Sequence, residues 1–295
     1  MHDINYFHEH ELKDHEFLGC CKDCQTSLNI IKPHILAFAR KIEKYTPEML
    51  AALPPDELYR LYQLLDDLAH MDAGPHLANL ILDEEEIKSV LPVIRAYYAM
   101  FFSIHEKQLA ETLLHSHDPW KTLSGFPLYP RYEALIKGQM ETIPHLPEKR
   151  IAFIGCGPVP MSLIFMAHLY KTRCLGLDSS EESVLTARKV IGALGLQDLV
   201  EIVQGDDASL ENLKWDAVLV AALAEPKERI FENLKRILSA QNPTIPVIYR
   251  TYTGMRAVLY APVSPSDRKG FRIVKEIFPT GRVNNTTVFA ELEGQ

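Results

Sequence analysis

The spacing of apolar positions along the 295-residue chain changes character near residue 145. From about Ile30 to Leu114 apolar side chains recur every three or four residues, the period of amphipathic helices. Leu58, Leu61, Leu65 and Leu68 form one stripe after Pro54-Pro55-Asp56. Thr46-Pro47-Glu48 places proline at the first position of a helix, and Asp72-Ala-Gly-Pro75 interrupts the run;. Asp83 to Glu86 then opens the longest helical signal, which reads through to about Leu114 with a kink expected at Pro92;. Asp118-Pro119-Trp120 ends it, and the proline-stiffened aromatic segment Phe126 to Tyr132 leads into another helix through Met140.

Beyond a short linker at Pro144 to Glu148, brief apolar runs alternate with helical stretches. Strands are expected at Arg150–Ile154, Arg173–Leu177, Glu201–Gln204, Trp215–Ala222 and Pro246–Tyr249, with final strands at Gly270–Phe278 and Thr286–Leu292;. Helices are expected at Pro160–Tyr170, from a Ser179/Glu182 capping box to about Gly195, and at Pro226–Leu238;. Such alternation predicts an α/β architecture with a doubly wound parallel sheet and an antiparallel end piece. The expected organisation is a tail over 1–25, a helical bundle over 26–145 and a Rossmann-like domain over 146–295.

Composition narrows the partners. Hydrophobic residues make up 47%, enough for a core, and the net charge of −8 with no dense basic tract disfavours nucleic acid;. No signal-peptide layout opens the chain and no apolar run approaches the roughly 20 residues of a membrane helix, so a cytoplasmic protein with a small-molecule partner is expected. The oligomeric state stays open. Residues 1–25 gather His8, His10, Cys20, Cys21 and Cys24, ligand types suited to Zn or Ni, although their spacing matches no standard finger;. An unstructured His-rich tail is the plainer reading.

The strand that ends at Ile154 runs into Gly155-Cys156-Gly157-Pro158, a tight turn before a helix and a place where nucleoside ligands commonly sit;. Pro160 occupies the position where a dinucleotide fingerprint needs its third glycine, which disfavours NAD;. Asp178 at the end of the second strand could accept from both ribose hydroxyls, and Asp206 after the third could hold an adenine amino group. Together these three turns describe an S-adenosylmethionine site in the Rossmann-like methyltransferase fold, and Ala222 at the end of the fourth strand is a further candidate for binding it. Capping of the next helices is the plainer role for both aspartates. In the longest helix one face reads Tyr98, Phe102, Glu106, Leu109, Leu113, with a carboxylate inside an apolar stripe;. Either Glu106 reaches solvent or a cation at the stripe's edge, or it sits in an apolar chamber where desolvation makes it a stronger base.

Four longer segments carry a resemblance. Ile154-Gly-Cys-Gly-Pro-Val-Pro160, Val220-Ala-Ala-Leu-Ala-Glu-Pro226, Tyr249 to Tyr260 and Gly281-Arg-Val-Asn-Asn-Thr286, in this order, resemble nicotianamine synthases, particularly the short archaeal-type members. The Asp118-Pro-Trp and Phe126–Tyr132 segments do so as well, and the resemblance covers roughly residues 80–292. It implies transfer of the 3-amino-3-carboxypropyl group of S-adenosylmethionine to the amine of an amino acid or growing product, with release of 5′-methylthioadenosine. It also implies Glu106 as the catalytic base and Tyr132 as the residue positioning the acceptor. Arg250 and Arg256 could anchor substrate carboxylates by paired hydrogen bonds, or equally face solvent or brace their loop. Methyl transfer on the same fold and a non-catalytic metal-binding module are the alternatives.

Overall fold

A computed structural model describes residues 22–142 and 145–294. The first helix, α1 (Lys22–Ile42), begins inside the stretch expected to be a tail, so Cys24 lies in its first turn. Short α2 (Pro47–Ala51) is capped by Thr46, whose hydroxyl accepts from the Met49 amide at 3.3 Å. The leucine stripe of α3 (Pro55–Ala69) is buried as its spacing predicts, and α4 (Pro75–Asp83) follows the Gly-Pro break. Next comes α5 (Glu85–Leu114), 30 residues continuous through Pro92 and therefore about 45 Å long;. Glu84 caps it, accepting from the Ile87 amide at 3.0 Å, and Lys32 of α1 pairs with Glu84 at 2.7 Å. By length and hydropathy α5 could cross a bilayer, a property that Lys88, Arg95 and Glu106 hide from a search for uninterrupted apolar runs. In the fold it packs against α1, α3 and α4. Asp118 caps α6 (Pro119–Ser124), accepting from the Lys121 amide at 3.0 Å, and α7 (Tyr129–Met140) completes the helical half.

The second half is a seven-stranded sheet of order β3-β2-β1-β4-β5-β7-β6. Strands β1 (Ile151–Ile154), β2 (Cys174–Asp178), β3 (Val200–Gln204), β4 (Ala217–Val220) and β5 (Val247–Thr251) run parallel. The last two, β6 (Phe271–Ile277) and β7 (Thr286–Leu292), are antiparallel, the end piece that their sequence suggested. Helices α8 (Met161–Tyr170), α9 (Glu181–Ala193) and α10 (Lys227–Ala240) make the crossovers. The cap of α9 differs from expectation. Ser180 holds that place, accepting from the Ser183 amide at 3.2 Å, because Asp178 already draws the Ser180 amide to its Oδ1 at 3.0 Å and shifts the helix start by one residue;.

One apolar core runs without a break from Leu28 of α1 through α5 and α7 to α8, α9 and one face of the sheet. A second, between the other face and α10, includes Val218, Phe231 and Leu234. The two halves also exchange polar contacts. Trp120 Nε1 donates to the Leu194 carbonyl at 3.1 Å, and an Arg95 Nη donates to the Ala257 carbonyl at 2.8 Å. Helix α5 packs on α9 as well as on its own bundle, which sets its middle turns against the carboxyl edge of the sheet.

Candidate active site

The sheet order reverses between β1 and β4, and at such a switch the loops leaving neighbouring strands diverge and open a crevice;. Main-chain bonds fix its floor. The Gly155 and Cys156 amides donate to the Leu177 carbonyl at 2.9 and 3.0 Å, and the Ala221 amide donates to the Ile154 carbonyl at 3.1 Å. The turn after β1 is therefore stitched to β2, and the loop after β4 to β1. Gly155 and Gly157 have φ of +79° and +69°, the left-handed region that side chains with a β-carbon rarely adopt;. Gly157 donates its amide to Asp178 Oδ2 at 2.9 Å.

Helix α5 roofs the crevice and makes of it a partly open chamber of about 370 Å³. The approach is close: a β-carbon at Gly157 would lie 2.8 Å from Glu106 Oε2. Glycine is thus required twice at this position, for its φ and for the carboxylate seated on it. Among the described residues no Lys, Arg or His pairs with Glu106. What surface it keeps faces the chamber, lined alongside it by Tyr98, Phe102, Tyr132 and Phe153. Desolvation, and after it the nearby Asp178 carboxylate, push the Glu106 carboxyl up to about 8;. Of the two accounts of this residue, solvent or ion pairing against an apolar chamber, the geometry matches the second.

Arg250, at 4% exposure, is the chamber's cation. One Nη donates to Ser162 Oγ at 2.8 Å and the other to Gln139 Oε1 at 3.3 Å, while its Nε has no partner among the described residues and its guanidinium lies 5.5 Å above the Phe153 ring. Among the described residues no carboxylate pairs with it, and burial lowers it to about 10. A buried guanidinium held only by neutral groups is suited to an anionic ligand group. The Tyr132 hydroxyl is raised by burial first and by Glu106 second, while Arg250 opposes the shift. Glu106, Tyr132 and Arg250 therefore share one electrostatic neighbourhood although they come from α5, α7 and β5.

The chamber brings together most of the residues singled out by sequence: Glu106, Tyr132, Gly155, Gly157, Asp178, Ala222 and Arg250. Asp206 and Arg256 stand apart from its lining. Asp206 forms a capping box with Ser209, accepting from the Ala208 amide at 3.1 Å, the plainer of its two expected roles. Arg256 braces the loop before β7, donating from Nε to the Val283 carbonyl at 2.9 Å and from one Nη to the Gly281 carbonyl at 3.2 Å. His8, His10, Cys20 and Cys21 lie outside the described residues, and among the described residues no group of three or more His, Cys, Asp or Glu could hold a metal.

Tyr252 and Asn285 also line the chamber and were not singled out. Both fall inside segments that carried the family resemblance, but nothing in their spacing assigns them a task. The Tyr252 hydroxyl donates to Tyr98 Oη at 3.2 Å, joining the C-terminal loops to α5.

A family model described as "Nicotianamine synthase protein" matches residues 24–294. The chain is 25% identical over 251 residues to nicotianamine synthase 1 of Arabidopsis thaliana, covering 79% of this chain and 75% of that protein. It is 28% identical over 241 residues to nicotianamine synthase of Solanum lycopersicum, covering 77% and 74%. Among solved structures, a mutant of MtNAS in complex with S-adenosylmethionine superposes with a TM-score of 0.80 at 33% identity, over 94% of this chain and 100% of that one. MtNAS in complex with MTA and tNA gives 0.81 at 33%, over 93% and 99%.

Proposed function

The chain belongs to the nicotianamine synthase family, and from that membership we propose how its chamber carries out aminocarboxypropyl transfer. The protein is a transferase that uses S-adenosylmethionine as donor, delivers the 3-amino-3-carboxypropyl group to an acceptor amine, and makes a nicotianamine-type product. The acceptor's nitrogen lone pair attacks the γ-carbon of the donor's methionine arm. The C–S bond breaks with its electron pair going to sulfur, so the sulfonium leaves as neutral 5′-methylthioadenosine. The amine gives up a proton. Enclosure between α5 and the sheet favours this in-line displacement by holding nucleophile and carbon together away from water.

Each charged residue has a separate task. Asp178 takes the ribose hydroxyls, since its oxygens keep lone pairs beyond those used by the Gly157 and Ser180 amides;. Glu106 accepts the acceptor's proton. Burial holds its carboxyl near 8, and the positive charges of sulfonium and ammonium draw it down as substrates bind, so the base ionises where it is needed;. Arg250 takes a substrate carboxylate, and Tyr132 orients the amine beside Glu106. A product with several amine and carboxylate donors chelates divalent ions, which supports reading it as a metallophore.

The observation that carries this reading is the unpaired Glu106 carboxylate seated on the glycine turn, with Asp178 beside it. Replacing it with glutamine removes the base and keeps the shape. Calorimetry should show S-adenosylmethionine binding to Glu106→Gln within a few-fold of the parent, while methylthioadenosine formation falls by a factor of roughly 10²–10⁴, the usual scale for losing a general base. Near-parental turnover would remove Glu106 from the mechanism.

A further inference from the structure

Lys227 occupies the first position of α10, at the positive end of the helix dipole, where a cation is disfavoured;. It is also only 6% exposed, so its ammonium carries a desolvation cost as well;. The reaction scheme above gives it no task. Its Nζ donates to the Ala222 carbonyl at 3.0 Å and to the Ala224 carbonyl, and it approaches Glu225 Oε1 at 3.4 Å. Those carbonyls belong to the loop leaving β4, and Ala221, Ala222, Leu223 and Ala224 all line the chamber.

The hydrogen-bond inventory of this loop is uneven. The Ala221 amide is used on the Ile154 carbonyl at 3.1 Å, and the Ala224 amide on the Ala221 carbonyl at 3.2 Å. The Ala222 and Leu223 amides have no partner among the described residues. Free main-chain donors on a cavity wall are ready-made sites for acceptor atoms of a ligand. The loop also packs closely over the glycine turn, since a β-carbon at Gly155 would come within 3.0 Å of Ala224 Cβ.

We propose that Lys227 is a positioning residue for the donor substrate: by holding the Ala222 and Ala224 carbonyls it fixes the stretch of wall whose free Ala222 and Leu223 amides bond S-adenosylmethionine. Its two costs, burial and an unfavourable helix end, are borne for that arrangement. The assignment rests on the reading of the chamber as the donor site. It predicts a donor-selective role, because Tyr132, which orients the acceptor's amine, is not among the groups that Lys227 bonds.

The test compares the parent with Lys227→Met, which keeps the length of the stem without the charge, and with Lys227→Gln, whose amide can still bond one carbonyl. S-adenosylmethionine is titrated calorimetrically, and methylthioadenosine release is followed while each substrate is varied in turn. In Lys227→Met the donor's Kd and KM should rise about tenfold or more, the loss expected for hydrogen bonds to a charged group, while the acceptor's KM stays within about twofold. Lys227→Gln should fall between. Unchanged donor affinity, or equal weakening toward both substrates together with a lower melting temperature, would overturn the assignment. If Lys227→Met does not fold, Lys227→Gln decides alone: a donor-selective loss supports the role, and a parallel loss or none refutes it. A parent that fails to bind S-adenosylmethionine would instead refute the reading of the chamber itself.

Discussion

Glu106→Gln should make the folded protein more stable, and by an amount that depends on pH. The folded state holds the Glu106 carboxyl near 8, against an ordinary 4.5 once the chain unfolds and water reaches it. Below pH 4.5 both states keep the proton and the carboxyl costs nothing. As pH rises through 4.5 the unfolded chain releases its proton while the folded chain retains it, so stability falls, and the loss is complete above about 8, where both are ionised;. That difference in affinity for the proton corresponds to about 3 kcal/mol at pH 7 and about 5 kcal/mol above pH 9. Glutamine fills the same space without ionising, so the variant escapes the penalty. Urea unfolding of parent and variant at pH 5, 7 and 9 would show nearly matching midpoints at pH 5 and a gap that widens toward pH 9. A gap independent of pH, or a variant less stable at pH 9, would mean that Glu106 is solvated or paired with a cation, and the account of a desolvated base would fall. The same substitution that slows turnover should thus stabilise the fold, as expected where an active site holds a group in a costly state.

Two further outcomes follow from the same geometry. The pH profile of kcat/KM should climb about tenfold per unit on its acid side and level off near 8, the value at which free Glu106 ionises, and the residual activity of Glu106→Gln should lack that limb;. Gly157→Ala should cost about 1–2 kcal/mol of stability for a left-handed residue bearing a β-carbon. It should lower kcat by a larger factor than that strain alone implies, because the new carbon would meet Glu106 Oε2 at 2.8 Å and push the carboxylate off its seat; steady-state rates alongside thermal melts separate the two effects.

How far the sequence could be read depended on whether a residue's task is local. The leucine stripe of α3, the alternation that produces the parallel sheet and the tight turn at Gly155–Gly157 all follow from near neighbours, and each stands where its spacing placed it. Glu106 was legible for a related reason, since a carboxylate within an apolar helical stripe is a local contradiction of pattern. The start of α9 was legible only to within one residue, because choosing between Ser179 and Ser180 depends on Asp178 capturing the Ser180 amide. Arg250 and Arg256 look alike in sequence, six residues apart, yet one enters the chamber and the other donates to the carbonyls of Gly281 and Val283. Only the antiparallel return of β7 beside β5 brings that second loop within reach. Lys227 left a signal of its own, a cation at the wrong end of a helix, but its meaning required the two carbonyls that the fold turns toward it.

The central claim is that the chamber directs attack to the methionine arm of the donor instead of its methyl group. Mass spectrometry of the purified protein incubated with S-adenosylmethionine and a panel of amino acids reads this directly. The account predicts methylthioadenosine together with an acceptor heavier by one 3-amino-3-carboxypropyl group for each transfer. Formation of S-adenosylhomocysteine and a methylated acceptor, or an untouched donor across the whole panel, would contradict it.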